Sequence, residues 1–397
     1  MKAWKVGGAV RDALLGRPDS DVDWVVTGAT PEAMRAAGYV PVGRDFPVFL
    51  HPLTKQEYAL ARTERKTAPG YHGFVFHADP GVTLEEDLQR RDLTINAMAQ
   101  DEAGRIIDPY GGQHDLQARV LRHVSPAFAE DPVRILRVAR FAARFVDFEV
   151  APETHALMQR MVSAGEVDAL VAERVWQELS RGLMEVQPSR MFDVLQHSGA
   201  LARLMPELQP AWVATEPAAI RWRAAVDLAA QQALPLPARF AVVAMGLSRP
   251  GQVALPDNSL AALSAWCERW RIPGESREVA ELALRECDAV CSRAATDAEQ
   301  RVQLLDRCDA WRRPERFELL LQACECIAHA EDSGAARWSS PSFARWRLAR
   351  ARGAGVDAGA VAKRAAAQGL RGPQIGYAVH DARVLAVAEH LYDEIND

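Results

Sequence analysis

Residues 2–26 read KAWKVGGAVRDALLGRPDSDVDWVV, and this stretch decides the fold. A short apolar segment ends at Gly7 and Gly8, a helical pattern follows, and a second apolar segment opens with Asp21 and Asp23. Glycines between a strand and a helix let the backbone approach phosphate oxygens closely, and the helix start offers N–H groups to the same anion. We therefore predict a strand–turn–helix–strand unit that holds a phosphate.

The two aspartates predict a metal beside that turn. Residues two apart in a strand project from the same face, so Asp21 and Asp23 are expected to point together toward the glycine turn. Paired carboxylates beside a phosphate favour Mg²⁺, which takes oxygen ligands and shares them with substrate phosphates. A glycine pair or an Asp-x-Asp alone is a weak signal, but their order, with Arg11 between them, is specific. The chemistry indicated is metal-assisted phosphoryl or nucleotidyl transfer.

Length and composition set broad bounds. A chain of 397 residues predicts two to four domains, and its 49% hydrophobic and 25% charged residues are ordinary for a globular protein. No apolar run is long enough for a membrane span, and the N-terminus leads directly into the first strand, so no cleaved signal peptide is expected. The net charge of −6 does not favour nonspecific binding to nucleic acid. We expect a cytoplasmic protein without a membrane partner.

The six cysteines all lie between Cys267 and Cys326. None is in a Cys-x-x-Cys pair, and no histidine occurs between His197 and His329. This spacing predicts neither a zinc site nor a disulfide framework, and it favours reduced cytoplasmic thiols.

The pattern of the chain changes at about Ala127, where alternating strands and helices give way to long helices. Before that point, the segment from Arg62 to Phe74 contains three basic residues, two glycines and a proline. Its composition fits a solvated hairpin tip and a mobile lid over a nucleotide equally well.

The first of the long helices carries a row of arginines. We predict Asp131 as its N-cap and Pro132 in its first turn. The arginines are three or four residues apart and share one face: Arg134, Arg137, Arg140 and Arg144. Like charges in register are destabilising unless they meet anions. The alternative is a solvated face with scattered acidic partners, and an anion-facing role is favoured.

Five motifs in this order resemble those of the class II tRNA nucleotidyltransferases, members of the polymerase-β superfamily that build the CCA end of tRNA. The matching residues are Gly7, Gly8, Arg11, Asp21 and Asp23; Arg90, Arg91, Asp92 and Asn96; Asp108, Gly111 and Asp115; Glu130, Asp131, Arg134, Arg137 and Arg140; and Glu173, Arg174 and Trp176. The resemblance implies an α+β fold with a small mixed sheet in an N-terminal nucleotidyltransferase head, followed by helices. The expected domains are a head (1–125), a neck with a nucleotide-reading helix (126–206) and a helical body and tail (207–397).

The resemblance also implies a reaction, the Mg²⁺-dependent addition of CMP, CMP and AMP from CTP and ATP to a tRNA that lacks all or part of its CCA end. Asp21 and Asp23 would hold the metal. The nucleotide would be bound by Gly8, Arg11, Arg91, Asn96, Asp131, Arg134, Arg137 and Arg140. Within this set Gly8, Arg11, Arg91 and Arg140 are expected on the triphosphate and Asn96 near the sugar. The pair Asp131 and Arg134 would read the base edge that C and A share.

The tail resembles that of a bacterial subgroup carrying an additional HD phosphohydrolase domain, but with one departure. That subgroup has a His-Asp pair after an Arg-Phe-Ala helix, whereas here Arg239-Phe240-Ala241 is followed by Met245 and Gly246. A dinuclear site needs its imidazole ligands. We therefore expect no phosphohydrolase activity and a degenerate helical shell.

Other functions stay open at this point. An enzyme that adds only the final A, or a poly(A) polymerase of the same superfamily, would share the head and the arginine helix. The acidic end of the chain, from Tyr392 to Asp397, disfavours the polymerase. A non-catalytic RNA-binding protein is disfavoured because Asp21 and Asp23 are both present. The sequence leaves open whether the protein is a monomer or a homodimer.

Overall fold

The computed structural model of the chain describes residues 1–17, 22–42, 48–66, 74–77, 79–248, 256–292, 297–331 and 341–396. The chain divides into two compact units, Met1–Gln209 and Pro210–Asp397. The first unit is built on a mixed sheet, and all elements described in the second are helices. In the part of the chain that the structure describes, no helix is both long and apolar enough to cross a membrane.

The strands all lie in the first unit. They are β1 (Lys2–Val6), β2 (Asp23–Thr27), β3 (Val40–Val42), β4 (Val48–Leu50), β5 (Glu57–Leu60), β6 (Thr63–Lys66), β7 (Phe74–His77), β8 (Ala99–Gln100), β9 (Ile106–Ile107), β10 (Val120–Leu121) and β11 (Glu149–Val150). Seven of them form one sheet in the order β3-β4-β5-β2-β1-β8-β9, in which only the β2–β5 pair is parallel. The β6–β7 pair is an antiparallel hairpin, and β10 and β11 form a short parallel pair.

The central strands carry buried side chains on both faces of the sheet. Successive side chains of a strand point to opposite faces. Val6 and Val25 pack on one face with Leu88, whereas Val26 and Phe49 belong to a second cluster on the other face. The core therefore fixes the register of β1 against β2, and with it the position of the turn that follows β1.

The helices of the first unit are α1 (Gly8–Leu14), α2 (Pro31–Ala36), α3 (Leu84–Gln89), α4 (Gly112–Ala118), α5 (Val133–Arg144), α6 (Pro152–Ser163), α7 (Ala172–Leu183), α8 (Ser189–His197) and α9 (Ala200–Leu204). Those that follow are α10 (Gln209–Val213), α11 (Pro217–Gln231), α12 (Leu236–Ala244), α13 (Pro256–Arg269), α14 (Gly274–Cys291), α15 (Ala298–Arg307), α16 (Pro314–Glu331), α17 (Pro341–Ala354), α18 (Ala358–Ala367) and α19 (Pro373–Asn396). Short 3-10 helices occupy Thr94–Asn96, Pro126–Glu130, Glu166–Ala169 and Met245–Ser248.

The predicted α+β class, with a small mixed sheet followed by helices, is confirmed. A capping box starts α3, because Thr83 Oγ1 accepts from the amide of Glu86 while the Glu86 carboxylate accepts from the amide of Thr83. The boundaries of the three expected domains remain predictions.

The segment from Arg62 to Phe74 begins with the strand β6, which pairs with β7, and the residues between these strands lie outside the described ranges. A hairpin is one of the two interpretations that the sequence left open for this segment, and a role as a lid over a nucleotide stays a prediction. Arg90 and Arg91 follow the end of α3, which the capping box starts at Leu84.

A histidine in the second unit predicts a pH-dependent stability. His380 Nδ1 lies 2.7 Å from Asp306 Oδ2, and Nε2 lies 2.9 Å from Glu299 Oε1. Burial lowers the pKa of His380, but these two carboxylates outweigh it and raise the pKa above the ordinary histidine value. A raised pKa stabilises the fold below the unfolded value, and this contribution is lost as the pH rises through the folded value.

We therefore expect His380→Gln to lower Tm most at about pH 6, with a difference from wild type that shrinks as the pH rises toward about 8. Thermal unfolding of both proteins across this range measures the effect. A difference that stays constant with pH would contradict the assignment.

Candidate active site

The turn after β1 is formed by Gly7, whose φ of +68° and ψ of −129° few other residues adopt. Its amide donates to the carbonyl of Met98 at 3.2 Å, and α1 begins at the next residue, Gly8. A Cβ placed on Gly7 would lie 2.9 Å from Nη1 of Arg91. The predicted strand–turn–helix–strand unit is thus present, and Arg91 lies directly against its turn.

Gly7→Ala is expected to destabilise the fold by about 1–3 kcal/mol, because the substitution adds a strained backbone and displaces Arg91. Gly16→Ala is the matched control, since Gly16 also has a φ of +68° but no atom within 4 Å of the position its Cβ would take. Urea denaturation of both variants separates the two contributions. Equal losses would show that the contact with Arg91 has no energetic effect.

Asp23 begins β2 at the edge of this turn. In the β1–β2 pair it stands opposite Val6, the residue before Gly7, and its side chain is exposed. The parallel β2–β5 pair puts it in register with Glu57, which is also exposed and begins β5. Side chains in register on neighbouring strands share a face, so a second carboxylate accompanies Asp23. The other predicted metal ligand, Asp21, lies outside the described residues.

The described donors fit a hard divalent cation. Asp23 and Glu57 offer only carboxylate oxygens, and neither is buried. Oxygen ligands with solvent access are what Mg²⁺ prefers, since this ion keeps several waters and binds through few carboxylates.

Behind the turn, Arg11 connects α1 to the 3-10 helix Thr94–Asn96. Its Nε donates to Asp12 Oδ1 at 2.8 Å, and its Nη1 donates to Oδ1 of Asn96. Burial lowers the pKa of Arg11, although the Asp12 carboxylate opposes this. Asp12 also accepts from Nη2 of Arg144 at 3.0 Å. Arg11 and Asn96, two of the predicted nucleotide ligands, therefore contact each other directly.

The network continues through Asp92 to the arginine helix. Asp92 accepts from Nδ2 of Asn96 at 3.0 Å and from Nε of Arg137 at 2.7 Å. Although burial disfavours its charged form, Arg137 and these hydrogen bonds hold the pKa of Asp92 well below its usual range. Glu178 of α7 lies 3.8 Å from Nη1 of Arg137 and accepts from Nε of Arg140 at 2.6 Å.

These contacts explain the arginine row on α5. The row has acidic partners within this chain, as in the alternative that the sequence left open: Asp12, Asp92, Glu178 and Glu185. That the row also meets an anion of the substrate stays a prediction. The helix itself begins at Val133 with Pro132 at its N-cap position, one residue later than predicted. Asp131 still satisfies the helix start, since its Oδ1 accepts from the amide of Val133 at 3.2 Å.

The guanidinium of Arg91 is held at the turn by Asp87. Its Nη2 donates to Asp87 at 3.3 Å, and its buried Nε has no hydrogen-bond partner within the described ranges. Burial would raise the pKa of Asp87, but Arg91 and Arg90 together lower it. The carboxylate therefore stays charged and pairs with both arginines, and of the two Arg91 lies against the glycine turn.

The predicted base-reading pair is close in sequence, but its members have different partners. Both oxygens of Asp131 accept from Arg174 of α7, at 3.1 and 2.7 Å. The buried guanidinium of Arg134 donates to the carbonyls of Ala127 and Arg90, at 2.6 and 2.7 Å.

Sequence reasoning missed several residues of this site. Glu178, Asp87 and Asp12 were not predicted, although each pairs with an arginine that was. The only sequence signal for Glu178 was its place four residues after Arg174, on the segment already matched to the neck. Glu57 offered no signal beyond a carboxylate at the start of a strand.

Two family models match the chain. One, described as the poly A polymerase head domain, fits residues 3–122, and the other, described as a probable RNA and SrmB-binding site of polymerase A, fits residues 147–211. The multifunctional CCA protein of Leptothrix cholodnii is 56% identical over 404 residues, covering 98% of this chain and 96% of that protein. That of Cupriavidus metallidurans is 54% identical over 413 residues, covering 98% and 99%.

Solved structures agree at the level of the fold. The CCA-adding enzyme of Bacillus stearothermophilus in complex with CTP matches with a TM-score of 0.67 and 26% identity, covering 98% of this chain and 88% of that one. The Thermotoga maritima CCA-adding enzyme complexed with tRNA matches with a TM-score of 0.65 and 21% identity, covering 98% and 87%.

Proposed function

The chain belongs to the family of the multifunctional CCA proteins, and on this premise we propose that it adds CCA to the 3′ end of tRNA from CTP and ATP, without a nucleic-acid template. The observation that carries the proposal is the position of Asp23 opposite the residue before Gly7, with Arg91 against the same turn. Carboxylate, glycine turn and guanidinium together meet the needs of nucleotidyl transfer. The expected compartment is the cytoplasm.

The glycine turn would hold the triphosphate. Gly8 opens α1, so its amide is one of the N–H groups that a helix start offers to an anion. Arg91 adds a guanidinium whose Nη1 lies against Gly7. Arg11 and Asn96 stand behind the turn and fix it through their mutual hydrogen bond. A substrate held in line in this way reacts without a further entropic cost of orientation.

Mg²⁺ is the proposed cofactor, because the ligands are carboxylate oxygens. Asp23 would hold it together with Asp21, and Glu57 is in register beside Asp23. Bound there, the ion would supply Lewis-acid stabilisation of negative charge on the attacking and leaving oxygens. The protein's own contribution is to keep the carboxylates of Asp23 and Glu57 in register at the edge of the turn.

Base choice is proposed to come from Asp131 and Arg134. A carboxylate accepts from the exocyclic amine that C and A share, and a guanidinium donates to the adjacent ring nitrogen. U and G present the opposite pattern at that edge. Arg174 holds Asp131 at both oxygens, and two backbone carbonyls hold Arg134. A site that relies on hydrogen bonds rejects mismatched edges on the order of 10⁴-fold.

Incorporation of each nucleotide on three tRNA ends tests this function. The ends are tRNA without CCA, tRNA ending in C and tRNA ending in CC, each with CTP, ATP, UTP or GTP and Mg²⁺. We expect CTP to extend the first two ends and ATP only the third. Addition of A alone on the CC end would make the protein an A-adding enzyme, and long A tails would make it a poly(A) polymerase.

We further propose that the second unit has no phosphohydrolase activity. Histidine is absent from 198 to 328. At the position where the resembling subgroup has its aspartate, this chain has Gly246, and the ring of Trp222 occupies the space that a Cβ would need. Trp222 is fixed there, because its Nε1 donates to the carbonyl of Val242 at 2.8 Å. An aspartate at 246 would require the indole to move.

Hydrolysis of chromogenic phosphate monoesters and diesters, with Mg²⁺, Mn²⁺, Co²⁺ or Ni²⁺, tests this second proposal. The expected rate equals that of a heat-inactivated sample. A metal-dependent rate above that blank would contradict the proposal without affecting the assignment of CCA addition.

A further inference from the structure

Three cysteines of the second unit converge on one point. Cys287 and Cys291 lie on α14, and Cys324 lies on α16. Their sulfur atoms are all within 4.8 Å of one another, and Sγ of Cys287 is 3.7 Å from Sγ of Cys291. Among the His, Cys, Asp and Glu side chains that the structure describes, this is the one group of three that could hold a metal ion.

The separations match those that a metal imposes. A tetrahedral ion with metal–sulfur bonds of about 2.3 Å holds its thiolates about 3.8 Å apart. Two cysteines four residues apart on a helix present their sulfurs on the same face, as paired metal ligands on a helix do. The two helices that carry the cysteines, α14 and α16, are each 18 residues long.

The surroundings favour a soft cation. Cys287 and Cys324 are buried, with exposures of 2% and 0%, whereas Cys291 is half-buried at the end of α14. An ion could therefore enter at Cys291 and be bound by the two buried sulfurs behind it. Three thiolates without a histidine or carboxylate in the group select thiophilic ions such as Zn²⁺ or Cu(I) over Mg²⁺.

The remaining cysteines behave differently. Cys267, Cys308 and Cys326 are buried and free, and they do not belong to the group. A single buried cysteine commonly serves as a small apolar residue. The other three differ from such cysteines because their sulfur atoms lie close together. The sequence predicts no zinc site, because it has no Cys-x-x-Cys pair and no histidine between His197 and His329. The group forms only in the folded protein, where α16 brings Cys324 next to Cys287 and Cys291 of α14.

We infer that Cys287, Cys291 and Cys324 form a three-thiolate site that binds one soft, thiophilic cation, with Zn²⁺ as the ion of choice. The site is independent of nucleotide addition, since no residue of the candidate active site belongs to it. Its effect would be to link α14 to α16. An ion that binds only the folded state raises the thermal stability of the protein.

Titration with Co²⁺ tests this inference. The full-length protein is stripped with a chelator under reducing conditions and then titrated, and the thiolate-to-cobalt charge-transfer absorption is recorded. Carboxylates and imidazoles do not produce this band, so the Asp23 region does not interfere. We expect saturation at one Co²⁺ per chain, displacement of the band by Zn²⁺, and a Tm that rises with added Zn²⁺.

Variants identify the ligands. Cys291→Ser, at the half-buried position, is expected to weaken binding roughly 100-fold or more, since loss of an outer-shell partner alone costs 10–100-fold. Cys326→Ser is the matched control, because Cys326 lies on the same helix two residues from Cys324 but outside the group. It should bind as wild type does. Circular dichroism and nucleotide addition confirm that each variant is folded.

Two results would overturn the inference. One is the lack of a charge-transfer band in the wild-type protein at saturating Co²⁺, which requires no variant. The other is a band that survives in both Cys291→Ser and Cys287→Ser, or that Cys326→Ser abolishes.

Discussion

Asp23→Ala is expected to lower the rate of nucleotide addition by roughly 10³-fold, which corresponds to about 4 kcal/mol of transition-state stabilisation. The side chain is exposed at the first residue of β2, so its removal leaves no cavity in the core. The free energy of unfolding should therefore change by less than about 0.5 kcal/mol. Single-turnover assays and urea denaturation measure the two quantities.

The matched control is Glu32→Ala. Glu32 is an exposed carboxylate in the same unit, but it belongs to α2 and not to the sheet edge at the glycine turn. Both variants remove one negative charge, so a general electrostatic effect on tRNA binding would appear in both. Loss of activity in Glu32→Ala as severe as in Asp23→Ala would remove the evidence for a metal site at Asp23.

Arg137→Met is expected to lower the free energy of unfolding by about 2–4 kcal/mol. Methionine keeps most of the aliphatic volume, so the loss comes from Asp92, whose side chain is 6% exposed and would become a buried charge without its main partner. This expected loss in the free energy of unfolding is at the lower end of the range for buried ion pairs, because the side chain of Arg137 itself is 35% exposed. Urea denaturation gives the value.

A second substitution tests the cause. Arg137→Met combined with Asp92→Asn removes the uncompensated charge, while an amide oxygen can still accept from Leu93 and Asn96. The double variant should recover part of the loss. Arg203→Met is the control for an exposed pair, because Arg203 and Asp168 are each about half exposed, and it should cost at most about 1 kcal/mol. Equal losses in Arg137→Met and Arg203→Met would contradict the account.

The sequence predicted those parts of the fold that depend on local signals. The glycine pair and the short apolar segments that form β1 and β2 act over a few residues, and each is present as expected. The start of α5 lies one residue later than predicted. Pro132 takes the N-cap position, while Asp131 still accepts from the amide of Val133.

What the sequence could not predict depends on long-range packing. The row of arginines indicated anions, but only the fold brings Asp92 and Glu178 to it, from positions about 45 and 40 residues away in the chain. Likewise, Cys324 joins Cys287 only because α16 packs on α14. Residue types and spacing identified the arginines but not the cysteine group, and in both cases the partners follow from tertiary structure.

The measurement that tests the central claim most directly is the sequence of the 3′ ends that the purified protein makes on tRNA lacking CCA, with CTP, ATP and Mg²⁺ supplied together. The proposed function predicts that most products end in CCA and that growth stops there. Ends that carry no added nucleotide, or tails of A of varied length, would contradict it.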